Sequence, residues 1–376
     1  MTQLIVYSSE ASIDLPLINL LHPFDVRTYK RAFHEIRKRF GPALESVTLA
    51  PKCEADSSDL LRVHTLSYLR SLTSADTLAA ALGLQMVRLI PGRLLERRVV
   101  RPLRVAVQGT ILAAQHALQS GFVFHIGGGF HHAFASRAEG SCLFADAAIA
   151  IRSLRARNLI KEDETVLYID LDAHRGNGVA DIFRNDPAVC VLDMFNVKAY
   201  PGPPEQPPPE GWRLIPLTPG CKDRSYLETL RKELDRFLSA AVTPGLAIYN
   251  AGTDILEGDT LGGLCISEEG VLSRDQIVID ALAQYTIPTV VLTSGGYTAR
   301  SHLLIARTAE YALKRHAKLQ AQCGGESHLS FNGFPLPLSA NTSPRLPEEQ
   351  WKAGSAPEAA GRWRRRCRRT GDSAGD

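Results

Sequence analysis

The stretch YIDLDAHRGNG, residues 168–178, runs from a short apolar segment directly into two aspartates, a histidine and two glycines. Burying carboxylates and an imidazole is costly unless each group has a partner or a metal ion. Residues i and i+2 of an extended segment point to the same side, so Asp172 and His174 can face one common point. The stretch therefore predicts a polar site at the end of a buried strand, completed by groups from elsewhere in the chain.

Short apolar runs of this kind recur along the chain and alternate with segments of helical length. They are apolar without alternation, as expected for strands that are covered on both faces. This order predicts right-handed crossovers and an α/β fold: a single three-layer domain with a mostly parallel central sheet flanked by helices. The strand candidates are 4–7, 122–126, 165–170, 188–193, 246–250 and 288–294, and the helix candidates lie around 103–119, 142–157, 224–240, 267–285 and 299–318.

The chain has 376 residues, and we expect residues 1–318 to form this single domain. The proline-rich segment 199–212 interrupts the pattern and is predicted to be an irregular surface loop. Residues 319–376 shift to Gly, Ser, Pro and Ala and contain an Arg-rich run at 362–369, so we expect a disordered tail. A solvated tail is favoured over a weak phosphate contact by that run.

Composition excludes several classes of protein. The hydrophobic content of 44% and charged content of 22% are ordinary for a soluble domain, and a net charge of +3 is too small to argue for nucleic-acid binding by the core. The seven cysteines are scattered without a C-x-x-C pair, which indicates reduced thiols. We see neither a secretory signal nor a membrane span, and expect a cytoplasmic or nuclear protein of unknown oligomeric state that is not secreted.

Polar clusters follow four predicted strands, at 125–132, 170–178, 250–259 and 293–298. The carboxyl ends of parallel strands line one crevice, so these clusters are expected to converge on a single site. Asp254 would then join Asp172 and His174 as a third ligand. Two oxygens and one nitrogen suit Zn²⁺ and leave a coordination position open for water. For the D-x-H pair alone, a hydrogen bond or a turn cap would be the better explanation; the additional clusters favour a metal.

Two further features indicate acid–base chemistry. His131 and His132 follow three glycines, and such a pair suits a general acid or base better than packing, although two surface histidines would be the default in isolation. Each imidazole needs an orienting partner, and Asp170 and Asn177 are the candidates. Tyr297 follows a Gly-Gly turn and could donate a hydrogen bond to a developing oxyanion, although a loop aromatic beside glycines is usually just that.

These segments, in this order, resemble the histone deacetylase family, whose fold is shared with arginases, and most closely its class IV branch. The resemblance covers about residues 1–315. It implies a metal-dependent amidohydrolase that removes acyl groups from the side-chain amine of lysine in a protein or peptide substrate. The motifs that carry it are LHPFD (21–25), VHTLSYLRSL (63–72), GGGFHH (127–132), DLDAHRGNG (170–178), NAGTDILEGDTLGGL (250–264) and TSGGY (293–297).

The resemblance also implies roles for individual residues. It makes Asp172, His174 and Asp254 the ligands of one Zn²⁺ per chain, with K⁺ near the Asp170–His174 segment. His131 and His132 become a dyad, with His132 as the likelier proton shuttle, Asp170 paired with His131 and Asn177 behind His132. Tyr297 polarises the substrate carbonyl. The residues expected at the substrate are Gly129, Phe130, Ser141, Tyr200, Leu261, Gly295 and Gly296.

The chain departs from the family pattern at several of these positions. Asn177 is neutral, so we expect the pKa of His132 to be lower than in relatives with aspartate there. Ser141 stands where relatives place a phenylalanine of the acyl-lysine tunnel, with Tyr200 as the opposite wall. A wider channel, together with the class IV resemblance, favours long fatty-acyl groups over acetyl. Arg175 stands where the family commonly has His or Gln beside the metal-binding histidine. The sequence makes no prediction about what this change does to the site.

Three alternatives remain at this stage. An arginase-like two-metal enzyme would need an aspartate where Gly176 stands. A deacetylase of small acylated amines such as acetylpolyamines would need an acidic residue at the tunnel mouth, which the sequence does not place. A non-catalytic zinc-bearing scaffold that binds acyl-lysine has no need of the complete set of ligands, dyad and tyrosine.

Overall fold

The computed structural model describes residues 4–13, 15, 22–241 and 243–322, and in this part of the chain eight strands form one sheet. The strands are β1 (Ile5–Val6), β2 (Thr48–Leu49), β3 (Phe122–His125), β4 (Val166–Asp170), β5 (Val189–Asn196), β6 (Arg213–Leu217), β7 (Leu246–Asn250) and β8 (Thr289–Leu292). Their order is β2-β1-β3-β8-β7-β4-β5-β6, and every neighbouring pair is parallel. The prediction of a mostly parallel sheet flanked by helices is confirmed.

The sheet has two strands that the sequence pattern did not predict, and both lie at its edges. β2 has only two residues, both half-buried, so it leaves almost no apolar run to detect. β6 carries an exposed Arg213 and an exposed Pro216, because one of its sides has no neighbouring strand in the sheet. Edge strands are solvated, and their sequences therefore lack the continuous apolar signature of the central strands.

Helices cover both faces of the sheet. The five predicted helices are present; the one expected around 142–157 begins at Asp146, and the one expected to end near 318 continues to Gln322. The other seven α-helices of the described residues were not predicted, and Thr28–Phe40 is the longest of them. The α-helices are α1 (Thr28–Phe40), α2 (Ala43–Ser46), α3 (Ser57–Leu60), α4 (Leu66–Ser71), α5 (Ala75–Leu82), α6 (Gly92–Leu95), α7 (Arg101–Ser120), α8 (Asp146–Ala156), α9 (Asn177–Phe183), α10 (Asp223–Ala240), α11 (Glu268–Gln284) and α12 (Ser301–Gln322).

Successive residues of the central strands enter two different hydrophobic cores. In β7, Ile248 packs into the core beneath α7 and α8, whereas Tyr249 packs into the core beneath α1, α10, α11 and α12. Because both faces of the sheet are covered, every residue of β3, β4, β5, β7 and β8 is buried. This explains why the strands read as unbroken apolar runs in the sequence.

Segment 199–212 contains neither helix nor strand, in agreement with the predicted irregular loop. All described residues belong to one compact unit, Met1–Ser330. The predicted tail lies outside the described residues from 323 onward, so its disorder and any phosphate contact stay predictions. Among the described residues, no helix combines the length and the apolar character needed to cross a membrane.

Candidate active site

Polar side chains gather where neighbouring strands of the sheet end. β3, β8, β7 and β4 are consecutive in the sheet, and the predicted polar clusters follow each of them. The loops after β4 and β7 bring Asp172, His174 and Asp254 together, with one potential ligand atom from each within 4.8 Å of the others. Residues that are 80 or more positions apart in the chain therefore meet, as strand-end convergence predicts.

The three residues form a buried group with an unusual charge balance. Nδ1 of His174 lies 3.0 Å from Oδ1 of Asp172 and 2.9 Å from Oδ2 of Asp254. Burial and the charge of Asp172 raise the pKa of Asp254 to about 7. Burial alone would lower the pKa of His174, but its hydrogen bonds to the two carboxylates raise it to about 11. Two carboxylates around one imidazole nitrogen favour a positive charge at their centre, and this donor set fits a cation such as Zn²⁺.

Fixed donors hold the two carboxylates in place. Oδ2 of Asp172 accepts hydrogen bonds from Oγ of Ser294 and the backbone N–H of Gly295, both at 2.9 Å. Oδ1 of Asp254 accepts the N–H of Ala173 at 2.8 Å. A Cβ atom on Gly295 would lie 2.6 Å from Oδ2 of Asp172, so a glycine is required at this close approach. Each carboxylate keeps its other oxygen directed at His174.

His131 is paired with a carboxylate. Its Nδ1 lies 2.8 Å from Oδ2 of Asp170, whose Oδ1 accepts a hydrogen bond from Nδ2 of Asn250 at 2.9 Å. Burial alone would lower the pKa of His131, but the charges of Asp170 and Asp172 raise it to about 9. His131 is therefore positively charged at neutral pH.

His132 is paired with a neutral amide. Its Nδ1 lies 2.7 Å from Oδ1 of Asn177, and its ring centroid lies 4.1 Å from that of His131 and 5.9 Å from that of His174. Burial, reinforced by the charge of His131, lowers the pKa of His132 well below its usual value. The two adjacent histidines thus differ in charge, and His132 has the neutral form that a general base needs.

Asn177 reaches His132 because the start of α9 is tied to the histidine loop. Asn177 is the first residue of α9, and the N–H groups of Gly178 and Val179 donate to the carbonyl oxygen of His131 at 3.0 and 3.1 Å. On its other side, Nδ2 of Asn177 donates to Oε2 of Glu139 at 3.0 Å. The amide of Asn177 therefore bridges His132 and a carboxylate.

Tyr297 faces the same centre from the turn after β8. Its ring lies edge-on to His174, with 6.0 Å between the centroids, and its backbone N–H donates to Oδ2 of Asp259 at 2.8 Å. Burial and the charges of Asp172 and Asp254 raise the pKa of Tyr297 well above 10. Its hydroxyl therefore stays protonated and can act as a hydrogen-bond donor.

A cavity with about 910 Å³ of empty space, including the part open to solvent, reaches this group of residues. Its lining includes His131, His132, Asp172 and Tyr297. The remaining lining is largely apolar and comes from the N-terminal segment, α5, α7 and the glycine-rich loop. It includes Ile13, Phe24, Val26, Leu82, Leu103, Ala106, Gly127, Gly128, Cys142 and four of the predicted substrate residues, Gly129, Phe130, Ser141 and Gly295.

Three predicted substrate residues do not line this cavity: Tyr200, Leu261 and Gly296. Tyr200 is 46% exposed and packs edge-on against His132, with 5.0 Å between the ring centroids. Its role as the wall opposite Ser141 stays a prediction. Leu261 is 43% exposed. Ser141 itself pairs with His22, whose Nε2 lies 2.8 Å from Oγ.

Arg175 links the proline-rich loop, residues 199–212, to the segment that follows β4. Its Nε donates to the carbonyl oxygen of Gly202 at 2.8 Å, and Oδ2 of the neighbouring Asp193 accepts the N–H of Gly176 at 2.9 Å. The residue that departs from the family pattern is therefore a loop anchor in this chain.

Sequence reasoning did not single out several residues that hold the site. Asn250, Ser294 and Asp259 lie inside the quoted strand-end motifs, and their position there was a usable signal. Asp146, which accepts the N–H groups of Gly129 and Phe130 at 3.0 and 2.8 Å, could have been noticed as an acidic residue near the start of the helix predicted around 142–157. Glu139 lies outside every motif and had no signal.

The family model of the histone deacetylase domain matches residues 22–314, which is most of the chain. Together with the fold and the site, this match defines an amide hydrolase of the α/β class. The chain belongs to the histone deacetylase family.

Similar proteins agree with this assignment. The chain is 39% identical over 325 residues to histone deacetylase 2 of Arabidopsis thaliana, covering 85% of this chain and 80% of that relative. It is 26% identical over 312 residues to histone deacetylase 8 of Xenopus tropicalis, covering 75% and 79%. The solved HDA15 HD domain superposes with a TM-score of 0.66 at 19% identity, covering 85% of this chain and 94% of that one, and supports the fold. The class IV assignment stays a prediction.

Proposed function

We propose that this protein is a zinc-dependent lysine deacylase that hydrolyses Nε-acyl-lysine in proteins or peptides, with a preference for long fatty-acyl groups. The carrying observation is that Asp172, His174 and Asp254, three buried potential ligands, lie beside His132 and Tyr297, and that a largely apolar cavity reaches this group. Asp172, His174 and Asp254 would hold the ion. When bound, Zn²⁺ would acidify a water molecule and polarise the acyl carbonyl.

The side chains supply the proton transfers. His132, neutral and hydrogen-bonded through Nδ1 to Asn177, has Nε2 free to accept a proton from the attacking water. The hydroxyl of Tyr297 donates a hydrogen bond to the carbonyl oxygen as negative charge develops there. The proton then passes to the departing amine, which gives a carboxylate and a free lysine side chain. His131 stays charged and favours the oxyanion electrostatically.

The lining of the cavity supports a long acyl chain. Apart from the candidate catalytic residues, the cavity is lined largely by apolar side chains, as is usual for sites that hold an apolar ligand. An acetyl group has one methyl to place there, whereas each further buried methylene contributes roughly 0.8 kcal/mol. Leu82, Leu103 and Ala106, from α5 and α7, supply apolar surface for such a chain. This supports the preference for fatty-acyl groups.

A second cation is also part of the proposal. Asp193 lies opposite Asp170 in the paired strands β4 and β5, and its Oδ1 is buried without a hydrogen-bond partner among the described residues. Burial and the charge of Asp170 raise its pKa well above the usual value. A buried carboxylate oxygen of this kind would suit K⁺ near the Asp170–His174 segment.

Hydrolysis of small acylated amines has less support. A cationic small substrate would require a carboxylate without other partners beside the cavity. Glu139, next to the lining residue Gly140, instead accepts hydrogen bonds from Arg137, Asn177 and Tyr200. Its charge is therefore already engaged.

The test is a substrate panel with the full chain purified in the presence of zinc. Lysine peptides carrying acetyl, octanoyl and myristoyl groups, and an acetylated polyamine, are assayed in parallel with zinc content. We expect about one zinc per chain and rates that rise with chain length. Equal or faster acetyl hydrolysis contradicts the chain-length preference, and polyamine as the best substrate contradicts the substrate class. Partner binding with no hydrolysis of any substrate favours the scaffold alternative.

A further inference from the structure

We propose that Glu139 is a positioning residue, which orients the amide of Asn177 and thereby selects the tautomer of His132. This inference rests on the proposed function in one respect, that His132 is the base. The juxtaposition joins three side chains in a row: Glu139 Oε2 to Asn177 Nδ2 at 3.0 Å, and Asn177 Oδ1 to His132 Nδ1 at 2.7 Å.

The side chains at the two ends of this row, Glu139 and His132, decide the orientation of the Asn177 amide between them. An asparagine amide has a donor end and an acceptor end, and His132 alone is compatible with either, because a neutral imidazole nitrogen can donate or accept. An ionised carboxylate only accepts, so Glu139 takes the NH₂ end of Asn177. The oxygen end must then face Nδ1 of His132, which carries the hydrogen. Nε2 is left with its lone pair, the form that can accept a proton.

The carboxylate of Glu139 is itself held in place and kept ionised. Nε of Arg137 donates to Oε1 at 2.6 Å, and the hydroxyl of Tyr200 donates to Oε2 at 2.5 Å. Partial burial would raise the pKa of Glu139, but the hydrogen bonds from Tyr200 and Arg137 lower it below its usual value. Glu139 therefore has no proton to donate at neutral pH.

The loop that carries Glu139 packs directly on the ring it controls. Gly140 has φ +53°, and a Cβ atom there would lie 2.3 Å from Cδ2 of His132. The ring of Tyr200 packs edge-on against His132 from the proline-rich loop. The segment formed by Glu139 and Gly140 thus contacts the imidazole of His132 directly and, through Asn177, determines which ring nitrogen carries the hydrogen. In this chain a carboxylate acts on His132 through an intervening amide.

Tautomer populations test the proposal without any assay of activity. The full zinc-loaded chain is labelled with ¹⁵N-histidine, and the His132 signals are assigned by their loss in a His132→Gln variant. We expect Nδ1–H in the wild type, a mixture of tautomers in Glu139→Ala, and the wild-type tautomer in Glu139→Gln, whose carbonyl oxygen can still accept from Asn177. An unchanged tautomer in Glu139→Ala overturns the proposal.

Kinetics provide the second readout. We expect Glu139→Ala to lower kcat about two- to tenfold with KM unchanged, since only the fraction of the protein that keeps the Nδ1–H tautomer of His132 has the active base. In an Asn177→Ala background the same change should have no further effect. Glu205→Ala, which removes an equal charge from the exposed loop, is the control. A full additional loss in the Asn177→Ala background overturns the proposal, whereas an inactive wild type counts against the proposed function and leaves the tautomer measurement decisive.

Discussion

Substitution of Ala106 by leucine should change the acyl-chain preference and little else. Ala106 is 2% exposed on α7 and lines the cavity, as does Leu103 one helical turn before it. Leucine adds three carbon atoms to the side chain, and these occupy space that the distal part of a long acyl chain would fill. An acetyl group has a single methyl beyond its carbonyl, so we expect it to leave this space unfilled.

The magnitude follows from the displaced surface. Three methylene groups excluded from an apolar site forgo roughly 0.8 kcal/mol each, or about 2.4 kcal/mol in total, which corresponds to about a 50-fold loss in kcat/KM. The loss should apply to a myristoyl-lysine peptide, whereas hydrolysis of the acetyl peptide should change by less than about twofold. The assay measures kcat/KM for both peptides with the same enzyme preparation.

Two controls separate this effect from general damage. Ala106→Ser keeps the side chain small and should retain the wild-type preference. A thermal melt of Ala106→Leu should remain near that of the wild type, because the cavity accommodates the added atoms that a packed core would not. The reasoning is refuted if both peptides lose activity equally in a folded variant, or if myristoyl hydrolysis is unchanged.

Three further outcomes are expected. Tyr297→Phe should lower kcat about 100- to 1,000-fold, because it removes a hydrogen-bond donor to the oxyanion. The zinc content, measured by metal analysis, should stay unchanged. Unchanged turnover would show that Tyr297 has no part in the mechanism. Asn177→Asp should raise the pKa of His132, because a negative charge favours the imidazolium. Since His132 must be neutral to act as a base, the acidic limb of the pH–rate profile should then move to higher pH. A limb that moves to lower pH would contradict this. Burial lowers the pKa of His64 to about 4, so the unfolded chain binds a proton that the folded chain does not, and stability is lost as the pH falls from 6.5 towards 4. His64→Gln keeps an acceptor for the N–H of Ala145 without titrating, so urea unfolding should show the wild type losing about 2 kcal/mol more than this variant between pH 7.5 and pH 5; equal losses would contradict the assignment.

The central part of the fold was predictable because its signals are local. Residues of β4 and β7 alternate between two cores, so both strands had to be apolar throughout, and the pattern reports this directly. β6 was not predicted because an exposed arginine and an exposed proline interrupt its apolar character. The strand forms nevertheless, since it pairs with β5 on one side. Its formation depends on the neighbouring strand, and a pattern read within one segment does not contain that information.

The candidate ligands were predictable for a related reason. A parallel sheet places successive strand ends at one edge, so Asp172, His174 and Asp254 could be expected to meet before any coordinates were known. The same reasoning does not place loop side chains. Tyr200 packs on His132, and its position depends on the course of the proline-rich loop, which Arg175 anchors.

What the sequence by itself determined is therefore the layered α/β fold, the family and the residue types that can meet at the strand ends, because periodicity and strand polarity encode them. Which partners orient the histidines was decided by the tertiary structure. Glu139 lies 38 residues from Asn177 and 61 from Tyr200 along the chain, and it belongs to no motif. Its contact with Asn177 exists because a glycine turn packs against His132, and such a contact arises from the packing of distant loops.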